Sequence, residues 1–212
     1  MSPRTPRQYE EIREEKRALI MDTALFFFAN EGYHSTTISQ IADRADISKG
    51  LMYNYFKSKE DLLRSIISKS IAEVYSYFDI NRDGYLSEEE FEFFIRKISI
   101  MLKEKRTFWR LLIQLMMQKE VRDHFLKSFV GSDSISSIYL SDNPDQQAGQ
   151  IIKTIRDYFF RKKERMGIDY DPLIELNLFI LTLKGLALTV IYLEDDNESH
   201  EKVINRIIEM FK

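Results

Sequence analysis

Helix-capping residues recur at close intervals from residue 37 onwards, and they restrict how this stretch of the chain can fold. Thr37 and Gln40 have the spacing of a capping box, in which each side chain caps the other residue's backbone. Ser48 can cap a second helix soon afterwards, following a tight turn at Asp46-Ile47. The pattern predicts two short helices separated by three or four residues, which is the helix-turn-helix arrangement.

Longer helices are predicted on both sides of this pair. Before it, residues 10–31 are good helix formers, and Gly32 is a typical residue to end the helix. Its apolar residues Ile20, Ala24 and Phe28 recur at a spacing of four. After it, Ser58 to Asp61 resembles another capping box and opens a helix that reaches about Phe78.

The rest of the chain also favours helices. With 7 Gly and 4 Pro in 212 residues, turns are few, and the absence of cysteine excludes disulfides and thiolate zinc sites. Helices are predicted at 91–103, 106–126, 148–166, 171–193 and 198–211, with a loop at 131–147. The apolar stretch 173–193 is interrupted by Glu175, Asn177 and Lys184, so no membrane span is expected. No secretory signal is visible, and a cytoplasmic location is predicted.

Residues 79–90, DINRDGYLSEEE, match the calcium-loop pattern D-x-[DN]-x-[DN]-G-x5-E. Gly84 would form the sharp turn, and Leu86 occupies the position that is usually apolar. The sequence predicts a bound Ca²⁺, with Mg²⁺ as the second choice. The predicted ligands are Asp79, Asn81, Asp83, Tyr85 through its carbonyl, Ser87 and Glu90.

A metal-free interpretation of the same loop remains open. Ser87 to Glu90 is also a capping box, and Asp-Gly is a common turn. EF-hands usually occur in pairs, and the chain has no second copy of the pattern. The loop could therefore join two helices without a cation.

Residues 18–63, ALIMDTALFFFANEGYHSTTISQIADRADISKGLMYNYFKSKEDLL, resemble the DNA-binding domain of TetR-family transcriptional regulators. The resemblance implies a homodimer that places two helix-turn-helix units on a pseudo-palindromic operator in double-stranded DNA. It also implies a small-molecule effector bound among the later helices, and dimerisation through the helices at 148–166 and 171–193. The implied dimer contacts are Leu176, Phe179, Ile180 and Leu183, which could be monomer core instead.

The candidate DNA contacts surround the predicted second short helix. Residues 47–59 hold three lysines and no acidic residue. Ser48 caps that helix, whose free N–H groups favour a phosphate or a base-edge acceptor. Leu51 departs from the small residue that is common at its position in the family. The candidates are Thr37, Ser39, Ser48, Lys49, Gly50, Leu51, Tyr53, Asn54, Tyr55 and Lys59, with Met52 and Phe56 assigned to packing.

The predicted fold is all-α, with an N-terminal three-helix helix-turn-helix domain and a C-terminal helical bundle for regulation and dimerisation. The predicted parts are 1–58, a connecting helix at 59–78, the loop at 79–90 and a bundle at 91–212. Trp109, Met116, Met117 and Tyr158 are candidates for the effector pocket, although such a stripe is also typical of plain core. The predicted function is a DNA-binding regulator, a ligand-released repressor. The alternative is a calcium-responsive helical adaptor, and no enzyme motif is present.

Overall fold

The computed structural model describes residues 5–78, 81, 83–118, 122–123, 147–193 and 197–212. These residues are mostly helical, with no strand among them, which confirms the all-α prediction. The helices are α1 Pro6–Asn30, α2 Ile38–Arg44, α3 Lys49–Tyr55, α4 Lys59–Ser76, α5 Glu88–Glu104, α6 Arg106–Met117, α7 Gln147–Met166, α8 Pro172–Tyr192 and α9 Asn197–Phe211. The predicted loop at 131–147 lies outside the described residues, apart from its last position.

The predicted caps start the helices of the N-terminal part. Thr37 and Gln40 form a complete capping box at α2, and the Ser48 and Ser58 hydroxyls accept from the backbone N–H groups of Leu51 and Asp61. α1 begins at Pro6 rather than at the predicted residue 10. Thr5 and Gln8 form a capping box there, and Pro6 suits the first helical position.

A first hydrophobic core, which we call the head core, joins α1–α4 to α6. Phe108, Leu111 and Leu115 of α6 are buried in it, and Arg110 donates to the Asn30 side chain at the end of α1. The head core is therefore completed by a helix from the predicted 91–212 region, and the predicted boundary at residue 58 is not a packing boundary. Its largest buried members from the head are Ile20, Phe28, Ile41, Met52, Phe56, Leu62 and Ile67.

A second core, the body core, lies among α5, α7, α8 and α9. Phe91 of α5 stacks on Tyr158 of α7 with ring centroids 4.6 Å apart, and Phe159, Phe179 and Phe211 surround them. A buried polar contact joins α5 to α9, where the Ser99 hydroxyl and His200 Nε2 are 2.6 Å apart. The body core thus combines a cluster of aromatic rings with buried Leu, Ile and Val side chains.

Trp109 links the two cores. Its side chain packs against members of both, and its indole N–H donates to the carbonyl of Met101 at 3.1 Å. The hydrogen bond fixes the ring across the α5–α6 corner. Movement of α6 relative to α5 would therefore disturb both cores at this residue.

α8 is apolar on nearly every side. Among the described helices it is the one whose length and composition would allow it to cross a membrane. Leu176, Phe179 and Val190 on its inner face lie in the body core. An outer stripe of large apolar residues is exposed, and it consists of Ile174, Leu178, Leu181, Leu188 and Tyr192.

We expect Leu111→Ala to lower the free energy of unfolding by about 2–5 kcal/mol, because it opens a cavity in the shared head core. Helix content should be lost, and the emission of Trp109, the single tryptophan, should change, in one and the same denaturant transition. Leu19→Ala is the matched control, since Leu19 is 46% exposed on α1 and should change stability by about 0.5 kcal/mol or less. Two separate transitions would contradict a shared core.

Candidate nucleic-acid interface

α3 is held against the head by its inner face. Met52 and the following Phe56 are buried, which confirms their predicted packing role. Between α2 and α3 the backbone turns at Asp46, which has a positive φ of 52°. Asp is among the few non-glycine residues that tolerate this conformation. The short turn and the two buried side chains fix how α3 presents its outer face.

The outer face of α3 carries most of the predicted DNA contacts. Leu51 and Tyr53 are 39% and 48% exposed. The Ser48 oxygen accepts from the N–H of Leu51 at 3.1 Å, which leaves the hydroxyl hydrogen available to a phosphate. Tyr55 differs, because it is half-buried and packs against the head core. The exposed candidates are Ser48, Lys49, Gly50, Leu51, Tyr53 and Asn54.

The start of α2 carries two further candidates, Thr37 and Ser39. The Thr37 hydroxyl accepts from the backbone N–H of Gln40 and donates to the Gln40 side chain, and Thr37 is exposed. Ser39 is half-buried on the first turn of α2. Thr37 would have to exchange its bond to Gln40 for a bond to phosphate.

The structure gives Lys59 a different role from the predicted phosphate contact. Its ammonium donates to the carbonyls of Tyr33, Thr36 and His34 at 2.8, 3.0 and 3.3 Å. An ammonium has three N–H donors, so all of them are used. The ammonium also lies 4.5 Å from the centre of the Tyr33 ring. Lys59 therefore ties the first turn of α4 to the loop between α1 and α2.

Tyr33 completes this attachment. Its hydroxyl donates to the Glu60 carboxylate at 3.1 Å, and its ring packs edge-on against Phe28. Burial raises the pKa of Tyr33, and the Glu60 charge raises it further, so the phenol keeps its proton. The loop is thus held to α4 by neighbouring side chains, Lys59 and Glu60.

The metal-loop residues lie at the opposite end of α4. Gly84 has a φ of +74°, and Leu86 is buried in the body core. The Asn81 and Asp83 side chains hydrogen-bond to each other, while the Glu90 carboxylate accepts from the N–H of Ser87 at 3.0 Å. Asp79 lies outside the described residues. Among the described residues of the loop, no three acidic or histidine side chains form a cluster, and the remaining predicted ligands are amide, hydroxyl and carbonyl oxygens.

α7 holds the exit of this loop. Arg161 donates to the carbonyl of Leu86 at 2.8 Å and lies 4.0 Å from the centre of the Tyr85 ring. Arg165 forms an ion pair with Glu88, and this contact lowers the pKa of the Glu88 carboxyl. The loop conformation is therefore coupled to the position of α7.

The predicted effector-pocket residues do not come together. Tyr158 is buried in the body core and borders a cleft of about 140 Å³ next to Arg161. Met117 is exposed at the rim of a different groove of about 700 Å³. Trp109 joins the two cores, and Met116 is half-buried on α6. Periodicity along one helix could not show that these side chains line different cavities and cores.

The larger groove lies between the head and the body and was not anticipated from the sequence. Tyr33 from the head, Leu111 and Leu115 from α6, and Leu188 and Tyr192 from α8 form its apolar walls. Asn30, Glu31, Gln114 and Gln118 supply polar groups at its edge. No local signal marks these residues, because they come from three distant parts of the chain.

We expect Lys59→Ala to lower the free energy of unfolding by about 1–3 kcal/mol, since three backbone carbonyls lose their donor. The dependence of DNA affinity on salt should not change, because no phosphate contact is removed. Lys57→Ala is the control at an exposed neighbour and should leave stability nearly unchanged. If Lys59→Ala instead lowered by about 0.9 the magnitude of the slope of log affinity against log salt concentration, Lys59 would bind a phosphate.

Residues 20–66 match the family described as bacterial regulatory proteins, tetR family. The HTH-type transcriptional regulator YuxN of Bacillus subtilis is 51% identical over 55 residues, which cover 26% of this chain and 19% of that protein. The HTH-type transcriptional repressor KstR2 of Mycolicibacterium smegmatis is 37% identical over 67 residues, covering 32% and 31% of the two chains. The alignments thus span less than half of these relatives.

The fold likeness extends further along the chain. A TetR-family regulator from Bordetella parapertussis superposes with a TM-score of 0.64 at 19% identity, covering 92% of this chain and 93% of that one. Members of this family are DNA-binding regulators rather than enzymes, and none of these likenesses supports a calcium-responsive adaptor. Residues 20–66 therefore belong to the tetR-family DNA-binding domain, and the chain as a whole shares its fold with solved TetR-family structures.

Proposed function

We propose that the protein is a repressor that binds a pseudo-palindromic operator as a homodimer and is released by a small-molecule effector. The observation that carries the proposal is the outer face of α3, where exposed Lys49, Tyr53 and Asn54 lie on a helix anchored by buried Met52. Such a helix fits the major groove of B-DNA. A regulator of this kind acts on the chromosome, so we place it in the cytoplasm.

The residues of the face fit two kinds of contact. Asn54 can donate and accept in the way that adenine requires, and Lys49 can reach guanine or a phosphate. Gly50 lacks a side chain, so the backbone of α3 can approach the DNA closely. Ser48, Thr37 and Tyr53 supply hydroxyls for phosphate oxygens, which position the helix without reading the sequence.

The outer stripe of α8 supports a dimer. Its members lie three, four or seven positions apart, so they form one continuous face. An exposed apolar surface of this kind marks an interaction site. This stripe differs from the predicted interface. Leu176 and Phe179 are buried within one copy of the chain, so they cannot contact a second copy. Ile180 and Leu183 are partly buried against the body core. We propose that Ile174, Leu178 and Leu181 contact a second copy of the chain, while Leu188 borders the groove.

The groove between head and body is the proposed effector site. Its apolar walls and polar edge suit an apolar molecule that carries one polar group. Leu111 and Leu115 line the groove and are also buried in the head core. A molecule bound there would therefore favour one position of α6, and with it one orientation of the head.

In vitro selection from a random duplex library with the full-length protein should enrich two half-sites related by a two-fold axis.

We expect Leu181→Glu to sediment as a monomer and to lose affinity for that duplex, because it places a charge on the dimer face. Ile100→Glu, on an exposed apolar residue of α5, is the matched control and should remain dimeric. Enrichment of asymmetric sequences, or a dimeric Leu181→Glu variant, would contradict the proposal.

We also propose that the loop at 79–90 binds a divalent cation, Ca²⁺ ahead of Mg²⁺. Support comes from the ligand spacing, the left-handed Gly84 and the buried Leu86. α4 has 18 residues and is about 27 Å long, so a cation at its far end would not touch DNA. Because Arg161 and Arg165 tie the loop to α7, the cation would stabilise the junction of α4, α5 and α7 rather than serve as the function itself.

Glu90→Gln tests the cation site directly. Glutamine can replace glutamate in a capping box, but it cannot supply a charged bidentate ligand. Millimolar CaCl₂ added after chelation should raise the melting temperature of the wild type and of Glu89→Gln, the neighbouring charge-matched control. It should not raise that of Glu90→Gln. A wild type that melts at the same temperature with and without Ca²⁺ and Mg²⁺ would exclude the site.

A further inference from the structure

The first turns of α1 stand clear of the rest of the described chain. Residues 6–15 are all exposed, and the first fully buried position of the helix is Ile20. About ten residues at 1.5 Å each extend roughly 15 Å. The start is nevertheless well capped by Thr5 and Gln8. A helical segment of this length is only marginally stable through its own hydrogen bonds. Because these turns also lack packing against the described chain, we expect them to have another role.

Charge is divided between two faces of the free turns. Tyr9, Arg13 and Lys16 lie four and three positions apart and continue the line of buried Ile20. On the opposite face lie Glu11, Glu14 and Glu15, together with Arg7, and Glu10 lies between the two faces.

A plain solvated helix would place opposite charges four residues apart, which stabilises it. Here Glu11 and Glu15 form a like-charged pair at that spacing, and so do Arg13 and Arg17. Arg7–Glu11 is an ion pair of the favourable kind. Arg13 and Lys16 form no ion pair or hydrogen bond within the described part of the chain. The arrangement keeps a basic face free at some cost to the helix.

The basic face of α1, formed by Arg13 and Lys16, lies near the C-terminal end of α3. Arg17, one turn further along, lies 5.1 Å from the ring centre of Phe56, the residue that caps the C-terminus of α3. It also donates to the Ser65 hydroxyl on α4 at 3.3 Å. Arg13 and Lys16 therefore lie next to the corner between α3 and α4, where Lys57 is exposed.

We propose that Arg13, on the free turns of α1, and the half-buried Lys16 at their base bind DNA phosphates that flank the segment contacted by α3. The proposal rests on the DNA binding proposed for the head. It adds a second contact region, in which the basic face of α1 meets the backbone while the glutamate face is turned away. These contacts add affinity and salt dependence, and they leave the sequence preference to α3.

The test uses the full-length protein and the duplex recovered by selection, with affinity measured by fluorescence anisotropy across a salt series. Arg13→Gln with Lys16→Gln should weaken binding about tenfold near 0.15 M salt. A plot of the logarithm of the association constant against the logarithm of the salt concentration should become less steep. The magnitude of its slope should fall by about 0.9 for each phosphate that the variant no longer neutralises. Hydroxyl-radical protection should disappear at the flanks of the site and persist at its centre.

Two further variants separate the possible causes. Lys202→Gln with Arg206→Gln removes one lysine and one arginine from exposed positions on α9, so it matches the change in net charge and should keep the wild-type slope. Arg13→Lys with Lys16→Arg keeps both charges and should also keep it. A wild type that binds no selected duplex overturns the proposed function. A wild type that binds, with an Arg13→Gln/Lys16→Gln slope equal to that of the α9 control, overturns this inference alone.

Discussion

The packing of α6 against the head is the contact on which the rest of the structure depends. α2 and α3 have seven residues each, too few to be stable without tertiary contacts. They are held because Ile41 and Met52 are buried in the head core, to which α1 also contributes. α1 in turn buries part of its apolar side against Phe108, Leu111 and Leu115 of α6. The presentation of the DNA-binding face therefore depends on a helix from the body.

Under the proposed function, this dependence would make communication between effector and DNA a matter of packing. α6 borders the groove, completes the head core and carries Trp109, which also packs against the body core. Interiors packed at high density respond to a displaced helix by shifting as a unit. An effector would act through the difference in its affinity for two positions of α6.

Most local features could be predicted from the sequence, and most long-range contacts could not. The starts of α2, α3 and α4 followed from capping residues whose partners lie three positions away. Lys59 has a charge and a position that suit a phosphate, but its acceptors are carbonyls more than 20 residues earlier in the chain. The role of Glu90 shows a further limit, because one residue satisfies both a calcium-loop pattern and a capping box.

The sequence by itself determined the starts of α2, α3 and α4, the helix-turn-helix and the outer face of α3 that is left exposed. Capping, turn formation and the alternation of buried and exposed positions on a short helix depend on near neighbours. Tertiary structure decided which face of α8 is free. α8 is apolar on nearly all sides, so its periodicity does not distinguish Leu176 and Phe179 from Leu178 and Leu181. Packing of α8 against α5 and α7 buries the first pair and leaves the second exposed.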